Sequence, residues 1–382
     1  MVEISKQKLT TDEALIGLAL ERRLESAGVF PDKERAIVLL KSKSLRVYLG
    51  IDPTGPDIHL GHTIPLLFLK QLWELGHTPV IVIGDFTARI GDPTGKDAAR
   101  KPLSLEQIKE NSKNYLSQIY RILPEGSFEV CHNGDWLDKL SFKEVVQLAS
   151  HVTVQQMIQR DMFQERIKNE HPIGLHEFLY PLMQGYDSVA MNIDGEVGGN
   201  DQIFNMLVGR DLEKKLLNKE KLVFATKLLI NSASGKKMSK SEGELIALSD
   251  SPQEMRRKVL AADDSMTKTT FELCTEKSLE WIEENQNKSP REWKEELSDE
   301  LVKMYHGEDA VTESRQPKPS AASNQIIVDW MVETLSISKT EAKKLMDQGA
   351  VRVNEEAKKD WNYEVKPNDK IQVGKGELFT VV

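Results

Sequence analysis

The fold is decided by RVYLGI (Arg46–Ile51), the breaker run DPTGPD after it, and HLGHTIPLLFLKQLWELG (residues 59–76). RVYLGI is β-branched and aromatic, which predicts a buried strand that ends at the breaker run. The next stretch predicts a helix, because its apolar residues recur at helical spacing: Ile64, Leu67, Phe68 and Leu72. PVIVIGDF (Pro79–Phe86) is then a continuous apolar run, typical of a parallel strand covered on both faces. Strand, helix and strand in this order predict a βαβ unit and a doubly wound parallel α/β sheet.

The rest of the chain predicts a change of architecture towards the C-terminus. Helical patterns run from about Ser104 to Arg121 and from Ser141 to about Lys168. SPQE (Ser251–Glu254) has the form of a helix N-terminal capping box, and a charged helical pattern follows it to about Gly307. Residues 311–324 are polar with two prolines and predict a linker. Beyond them the pattern predicts two helices and three short strands, a small α+β unit.

Composition limits the class of protein. The 382 residues are 39% hydrophobic and 29% charged, which is typical of a globular chain of two or three domains. No apolar run approaches the roughly 18 residues of a membrane span, and the N-terminus lacks the apolar core of a signal peptide. The net charge of −9 means that any nucleic acid must be bound by a local patch. Two cysteines, Cys131 and Cys274, predict neither a disulfide framework nor a cysteine metal site and fit a reducing cytosol.

Two short motifs predict a nucleotide site. His59-Leu-Gly61-His62 lies where a helix begins, and its unpaired N–H groups and positive dipole end attract phosphate. The imidazoles can donate to phosphate oxygens, and Gly61 leaves room for a base. Alone, this motif is equally an incidental helix start, and it lacks the His-Glu-x-x-His pattern of a zinc site. KMSKS (Lys237–Ser241) places two lysines on a glycine-flanked loop that could close over a triphosphate, although an isolated basic loop is usually just solvated.

A third motif predicts a polar pocket. Tyr180, Gln184 and Asp187 recur at spacings of four and three, so they share one face of a helix. A phenol, an amide and a carboxylate on an apolar face are costly unless they bind each other or a polar ligand. The glycine-rich run GGNDQ (Gly198–Gln202) follows and allows a close approach to the backbone.

Together these motifs resemble the class I aminoacyl-tRNA synthetases, whose HIGH and KMSKS signatures match HLGH and KMSKS here. The third motif, with Tyr48 in VYLGID, is similar to the tyrosyl-tRNA synthetases of bacterial type. The resemblance covers nearly the whole chain and is strongest from about Tyr48 to Ser241. It implies that ATP, a substrate accompanied by Mg²⁺, activates L-tyrosine as an adenylate, and that the tyrosine is then transferred to the 3′ end of tyrosine tRNA.

The resemblance also implies residue roles for tyrosine. Tyr48 and Asp187 would hold the phenol hydroxyl, so phenylalanine would leave both without a partner. Buried groups left without partners explain strong rejection of phenylalanine. The tyrosyl-tRNA synthetases are themselves the standard example of this rule. The ammonium group would contact Asp92, Tyr180 and Gln184. The remainder of the implied tyrosine pocket consists of Thr87, Asn133 and Gln202.

For ATP, the resemblance implies that Thr54, His59 and His62 hold the triphosphate. The leaving pyrophosphate would be neutralised by four cations: Lys96, Arg100, Lys237 and Lys240. Asp201 would bind the ribose hydroxyls. The other implied nucleotide-binding residues are Gly50, Asp52, Gly61 and Gly199, again with Lys240.

The implied domain plan begins with a Rossmann-like catalytic domain over residues 1–245, carrying a helical insertion at about 125–170. An α-helical anticodon-binding domain (246–310), the linker (311–324) and an S-four-type RNA-binding domain (325–382) follow. Lys339 stands where that last domain usually has an arginine. Family members are homodimers, for which the pattern from Ser141 to Lys168 is a candidate interface. The family also implies a cytoplasmic protein without a membrane partner.

Three other readings fit parts of the sequence. A tryptophanyl enzyme shares the fold, HxGH and the lysine loop, but Tyr48, Gln184 and GGNDQ favour tyrosine. A synthetase-derived RNA-binding protein without catalysis would not need the intact histidines, lysines and pocket residues. A small-molecule nucleotidyltransferase would leave the helical domain and the C-terminal unit unexplained.

Overall fold

The computed structural model describes residues 4–5, 7–93, 103–230, 245–315, 318–320, 325–335, 337–374, 376 and 378–381. They divide into two compact units. The first contains the chain up to Ile230 together with Glu272–Glu276, and the second contains residues 245–271 and the chain from Lys277 onwards.

A six-stranded sheet forms the centre of the first unit. The strand order is β1-β6-β5-β2-β3-β4; β2 to β6 are parallel, and β1 is antiparallel at one edge. The strands are β1 (Leu24–Phe30), β2 (Arg46–Ile51), β3 (Thr78–Ile83), β4 (Glu129–His132), β5 (Gly195–Gly199) and β6 (Leu222–Thr226).

Helices cover both faces of this sheet. Val223 and Ala225 of β6 pack against Met206 on one face, whereas the Phe224 ring between them lies 5.2 Å from the Phe68 ring on the other. The helices of the unit are α1 (Glu13–Arg22), α2 (Lys33–Ser42), α3 (Leu60–Glu74), α4 (Thr87–Ile90), α5 (Leu105–Ile119), α6 (Gly134–Leu137), α7 (Phe142–Ala149), α8 (Val154–Ile158), α9 (Asp161–Lys168), α10 (Tyr180–Met191) and α11 (Ile203–Leu217). This two-sided cover confirms the predicted doubly wound α/β class.

The predicted βαβ unit is β2, α3 and β3. β2 has the predicted bounds, and Arg46 to Ile51 pair in register with Thr78 to Ile83. α3 ends at Glu74, and the chain turns away from the helix at Gly76. The φ of Gly76 is 95°, a left-handed conformation that glycine adopts without strain. β3 ends at Ile83, three residues before the predicted end, because Gly84 begins the turn that carries Thr87 into the site.

The prediction of one helix from Ser141 to Lys168 is wrong. The segment forms the three helices α7, α8 and α9. The Thr153 side chain accepts from the backbone amide of Gln156, and the Gln156 side-chain oxygen accepts from the backbone amide of Thr153. This capping box starts a new helix at the point where the pattern predicts continuation.

Two other features of the first unit differ from the predictions. Residues 1–28 are charged and helical in pattern, but the helix ends at Arg22, and LESAGVF (Leu24–Phe30) forms the edge strand β1, whose pairing shifts in register between Leu24 and Val29. Such an irregular strand lacks the alternation that would predict it. The helical insertion predicted from about residue 125 begins later, because β4 belongs to the main sheet.

The second unit begins with helices, as predicted. They are α12 (Pro252–Ala261), α13 (Met266–Cys274), whose residues from Glu272 onwards belong to the first unit, α14 (Leu279–Asn285), α15 (Pro290–His306) and α16 (Glu308–Ser314). A smaller region follows with two helices and a sheet of order β7-β11-β10-β8-β9. Its elements are β7 (Lys318–Ser320), α17 (Ile327–Leu335), α18 (Lys339–Asp347), β8 (Val351–Val353), β9 (Glu356–Ala357), β10 (Lys370–Val373) and β11 (Leu378–Val381).

The predicted linker over residues 311–324 is shorter than expected. α16 extends through its first residues and buries Ser314, and β7 pairs in parallel with β11. The polar composition did not predict this helix, because most of its side chains face solvent.

The region after the linker has its own core. Trp330 of α17 is fully buried, and its ring lies 5.5 Å from the Phe379 ring of β11, edge to face. Among the described helices of the whole chain, none is long and apolar enough to cross a membrane.

Candidate active site

Four of the predicted site residues follow the parallel strands at their carboxyl ends. Asp52 follows β2, Thr87 comes after β3, Asn133 follows β4 and Gln202 comes after β5. In open α/β sheets, ligands bind in the crevice at this edge, where the strand order reverses. The reversal occurs at β2, which pairs with β3 on one side and with β5 on the other. The fold therefore brings these residues to one crevice.

An opening above β2 marks the crevice. Gly50 is exposed although β2 lies inside the sheet, and a Cβ at Gly50 would meet only the Tyr48 ring, at 3.8 Å. The floor of the crevice is therefore accessible from above.

Asp187 of α10 lies at one end of the site, with only 3% of its surface exposed. Its Oδ1 accepts a hydrogen bond from the Trp136 indole at 2.8 Å, and its Oδ2 accepts one from the Asn133 amide at 3.3 Å. Burial raises the pKa of Asp187 well above its usual value, and these two donors oppose that shift by stabilising the anion. The carboxylate is thus oriented as a hydrogen-bond acceptor.

Tyr48 of β2 is fully buried close to Asp187. Its hydroxyl lies 3.1 Å from Ser188 Oγ and 3.4 Å from the carbonyl oxygen of Gln184. Burial raises the pKa of Tyr48 well above its usual value, and the nearby Glu196 and Asp187 carboxylates raise it further. Tyr48 therefore stays protonated and can both donate and accept a hydrogen bond.

A group of carboxylates surrounds Tyr180. Its hydroxyl donates to Asp52 Oδ2 at 2.8 Å, while Thr87 donates to Asp52 Oδ1 at 2.6 Å. Burial and then the charges of Asp52 and Asp92 raise the pKa of Tyr180 well above its usual value. This concentration of negative charge favours a cation, such as an ammonium group. Asp52, which the resemblance implies for ATP, thus contacts Tyr180 and Thr87, two residues that the resemblance implies for tyrosine.

The side-chain amides of the site form a chain. Asn205 donates to Gln184 Oε1 at 3.0 Å and to Gln202 Oε1 at 2.9 Å, and Gln202 donates to Asp92 Oδ2 at 2.8 Å. At the other end, Gln184 donates to Glu196 Oε1 at 3.0 Å. Each amide is therefore held in one orientation.

His59 and His62 lie at the N-terminus of α3, as predicted. His59 is the N-cap residue, its Nδ1 accepts from the Gly61 amide at 3.1 Å, and His62 Nδ1 accepts from the His59 amide at 3.4 Å. The rings stack 3.8 Å apart. Because each Nδ1 accepts a hydrogen, Nε2 of each neutral ring carries the proton and is a donor. The motif thus combines two donors with the positive end of a helix.

The turn that contains Thr54 is supported by α5. Asn111 donates to the Pro53 carbonyl oxygen at 2.9 Å, and Gln118 accepts from the Ile58 amide at 2.9 Å. These contacts fix the segment between β2 and the histidine motif.

Two glycines are required by close approach. A Cβ at Gly84 would lie 2.0 Å from Asp52 Oδ1 and 2.4 Å from Thr87 Oγ1. A Cβ at Gly199 would lie 2.5 Å from Asp201 Oδ1, beside the predicted ribose-binding residue. Any side chain at either position would displace a site residue.

Several residues of the site were not predicted from the sequence. Trp136 stands three residues after Asn133 and could have been found by asking which donors satisfy a buried Asp187. Glu196 lies within β5, and its sequence context gives no signal of its own. The other unpredicted residues are Asp85, His132, Ser188, Asn205 and Lys221. Of these, Asp85 and His132 join the ends of β3 and β4 through a 3.0 Å contact.

Four predicted residues, Lys96, Arg100, Lys237 and Lys240, lie outside the described residues. The cationic half of the nucleotide site therefore stays a prediction. Within the described ranges, no group of three or more His, Cys, Asp or Glu residues could hold a metal ion.

Two family models match this chain. Residues 40–316 match the family of class I tRNA synthetases for tryptophan and tyrosine (W and Y). Residues 310–382 match the C-terminal domain of SYY-like tyrosine–tRNA ligases.

Relatives match over most of their length. The tyrosine–tRNA ligase of Carboxydothermus hydrogenoformans is 40% identical, over 95% of this chain and 98% of that protein. The tyrosine–tRNA ligase of Thermotoga maritima is 39% identical, over 91% and 93%.

Solved structures share the fold. A tyrosyl-tRNA synthetase of Archaeoglobus fulgidus, complexed with L-tyrosine, superposes with a TM-score of 0.62 at 21% identity, over 79% of this chain and 99% of that one. A C-terminally truncated mitochondrial tyrosyl-tRNA synthetase of Coccidioides posadasii gives 0.63 at 23% identity, over 78% and 90%. The chain therefore belongs to the class I tRNA synthetases for tryptophan and tyrosine and, within them, to the tyrosine–tRNA ligases.

Proposed function

We propose that this chain activates L-tyrosine with ATP and transfers it to the 3′ end of tyrosine tRNA, using the residues of the crevice. The observation that carries the assignment is Asp187, a buried carboxylate held by Asn133 and Trp136 and placed next to Tyr48. In this proposal the phenol hydroxyl of the substrate donates to Asp187 and accepts from Tyr48. Phenylalanine would leave both groups unsatisfied.

The ammonium group of the substrate would lie among Asp92, Tyr180 and Gln184. The charges of Asp52 and Asp92 around Tyr180 support this, because an amino acid brings its positive charge to that end of the pocket. The substrate carboxylate would then point towards the N-terminus of α3 and act as the nucleophile, so that no protein side chain needs that role.

ATP would lie over Gly50 and the histidine motif. Nε2 of His59 and His62 and the Thr54 hydroxyl would contact phosphate oxygens, Gly61 would leave room for the base, and Asp201 would bind the ribose. Mg²⁺ would travel with ATP. By the sequence motifs, Lys96, Arg100, Lys237 and Lys240 would stabilise the charge of the leaving pyrophosphate.

The first step forms a bond between a carboxylate oxygen of tyrosine and the α-phosphorus of ATP, and breaks the bond to pyrophosphate. In the second step a terminal ribose hydroxyl of the tRNA attacks the tyrosyl carbonyl, and AMP leaves. The chain would position the reactants and stabilise the developing charge. Residues 246–310 would contact the anticodon region and residues 325–382 would contact RNA, as an anticodon-binding and an S-four-type domain.

Amino-acid-dependent exchange of labelled pyrophosphate into ATP tests the proposal. Tyrosine should drive exchange, and tryptophan and phenylalanine at the same concentration should give little above background. Exchange driven by tryptophan would refute the proposal, and so would the absence of exchange with every amino acid. Charging of tRNA with labelled tyrosine tests the second step separately.

The same proposal includes a homodimer, supported by an apolar surface around α7. Phe142 is 84% exposed, Leu175 78%, Val154 63% and Val146 52%. Val145 and His176, the chain neighbours of Val146 and Leu175, border one apolar cavity of about 180 Å³. Apolar side chains exposed together usually mark an interface, and a two-fold axis would let one surface cover its own copy. A cytoplasmic location is also proposed, since Cys131 and Cys274 are both free thiols.

Phe142→Glu should give a monomer at micromolar concentration, because a carboxylate would be buried in the dimer. Sedimentation velocity measures the change. Leu15→Glu on α1, where the parent side chain is 52% exposed, is the matched control and should stay dimeric. A monomeric parent chain would contradict the dimer.

A further inference from the structure

A buried ion pair lies directly behind the proposed tyrosine pocket. Lys221, the residue before β6, pairs with Glu196 of β5, and their side chains are 0% and 2% exposed. Such pairs add little net stability, because desolvation offsets the attraction and apolar replacements are often equally stable. A contribution to stability is therefore a weak explanation for this pair.

The fold leaves space for the buried ammonium group. A Cβ at Gly209 of α11 would lie 2.6 Å from Lys221 Nζ and 3.0 Å from Ser188 Oγ. Glycine in a helix interior is destabilising relative to alanine. The position therefore accommodates Lys221 at the expense of helix stability.

Both ends of the ion pair contact residues of the proposed pocket. Glu196 Oε1 accepts from the Gln184 amide at 3.0 Å, while Glu196 Oε2 bonds to Lys221. Lys221 also donates to Ser188 Oγ at 2.8 Å, and Ser188 Oγ lies 3.1 Å from the Tyr48 hydroxyl. A continuous chain of hydrogen bonds thus joins Gln184 to Tyr48 through the ion pair.

The charge on Lys221 fixes the direction of these hydrogen bonds. An ammonium group can only donate, so Ser188 Oγ accepts from Lys221 and its own hydrogen is left for the Tyr48 oxygen. The Tyr48 hydrogen must then point elsewhere. The Gln184 carbonyl oxygen lies 3.4 Å away, a weak contact that a ligand can replace, and the Glu196 carboxylate is also close.

We propose that Lys221, with Glu196 and Ser188, is a positioning element for tyrosine selectivity. It makes Tyr48 a hydrogen-bond donor towards the phenol oxygen of the substrate, while Asp187 accepts the phenol hydrogen. The pocket then recognises the substrate hydroxyl both as an acceptor and as a donor. This inference rests on the proposed function, since it assumes that tyrosine occupies the pocket.

Ser188→Ala tests the inference with a small change, because it removes one hydroxyl and leaves the ion pair in place. Exchange kinetics should be measured with tyrosine and with phenylalanine. We expect kcat/KM for tyrosine to fall about tenfold, the size of one lost hydrogen bond, mainly through KM. For phenylalanine, which has no hydroxyl, kcat/KM should be nearly unchanged, so the ratio of the two falls about tenfold. A purely structural role would lower both values equally, and an unchanged ratio would overturn the inference.

Two further variants make the test independent of Ser188. Gly209→Ala should displace Lys221 and lower the same ratio, whereas Gly17→Ala in α1, with no heavy atom within 4 Å of the new Cβ, should not. Lys221→Met with Glu196→Gln removes both charges but keeps an acceptor for Gln184. We expect it to retain the parental unfolding midpoint and still lose selectivity; parental selectivity in this double variant would overturn the role of Lys221. If the parent chain shows no exchange with tyrosine, the proposed function fails instead, which is a distinct result.

Discussion

A carboxylate with 3% exposure is costly unless donors surround it, and at Asp187 two N–H groups partly offset that cost. They leave room for one more donor, which the proposal identifies as the phenol of tyrosine. The unsatisfied carboxylate of the ligand-free protein therefore makes the site selective. A ligand with a hydroxyl group supplies the missing donor, and a ligand without one does not.

Asp187→Ala should reduce tyrosine-dependent exchange by at least about a hundredfold, because the buried acceptor for the phenol is lost. The free energy of unfolding should fall little or even rise, since the raised pKa of Asp187 shows that the buried charge is unfavourable. Exchange kinetics and urea denaturation measure the two effects. Asp309→Ala, at an exposed site on α16, is the control. Near-parental exchange would exclude the assigned role.

Lys240→Ala concerns the phosphate half of the proposal, which rests on the KMSKS motif. Loss of one charge-stabilising donor should slow adenylate formation tenfold or more while leaving the dissociation constant for tyrosine within about twofold. Single-turnover kinetics and equilibrium dialysis separate the two quantities. Lys113→Ala on α5 is an exposed control. An equal loss of tyrosine affinity and rate would indicate a structural lysine instead.

Sequence spacing was sufficient to group Tyr180, Gln184 and Asp187, because all three lie on one helix. It could not reveal Trp136 or Glu196, which reach the same crevice from other elements. Contacts between distant segments depend on the sheet order, which a single helix pattern does not contain.

At the scale of elements, α11 carries a buried carboxyl group outside the crevice. Glu213 is fully buried, and burial raises its pKa from 4.5 to about 7, against the opposing charges of Lys221 and Lys219, with Asp194 raising it further. Below about pH 4.5 the carboxyl is neutral in both the folded and the unfolded chain, so it costs nothing. Between about pH 4.5 and about 7 the unfolded chain ionises while the folded chain keeps the proton, so the folded state loses stability over this range, and the loss levels off above about pH 7.

Glu213→Gln should therefore raise the free energy of unfolding at about pH 8 by on the order of 2 kcal/mol. The gain should shrink as the pH falls and approach zero below about pH 4.5. Urea denaturation at several pH values measures it. A gain that is independent of pH would mean that Glu213 is not the titrating group.

The elements themselves show where patterns succeed. β2, α3 and β3 follow from apolar runs and breakers, because most of the residues in each are buried. The predicted helix from Ser141 to Lys168 failed because side-chain capping at Thr153 overrides an apolar pattern that continues through the break.

At the scale of the whole molecule, the C-terminal region has a core separate from the catalytic sheet. The buried cluster around Trp330 draws only on residues between Ile327 and Val381. Removal of this region should therefore leave the core of the first unit buried. The truncated chain can then separate the effect on tyrosine activation from the effect on transfer to tRNA.

A chain ending at Arg315 should keep tyrosine-dependent exchange within about threefold of the parent, since the crevice is built from the first unit. Charging of tRNA should require at least about tenfold more tRNA, because the RNA contacts proposed for residues 325–382 are lost. Exchange and aminoacylation assays on the two proteins test this. Unchanged charging would show that this region does not bind tRNA.

The central claim is that the end of the crevice formed by Asp187 and Tyr48 recognises the phenol hydroxyl of tyrosine. A crystal structure with bound L-tyrosine tests it most directly. The account predicts that the phenol oxygen lies within hydrogen-bond distance of both Asp187 Oδ and the Tyr48 hydroxyl, with the ammonium group among Asp92, Tyr180 and Gln184. A bound tyrosine whose ring points away from the Asp187 carboxylate would contradict it.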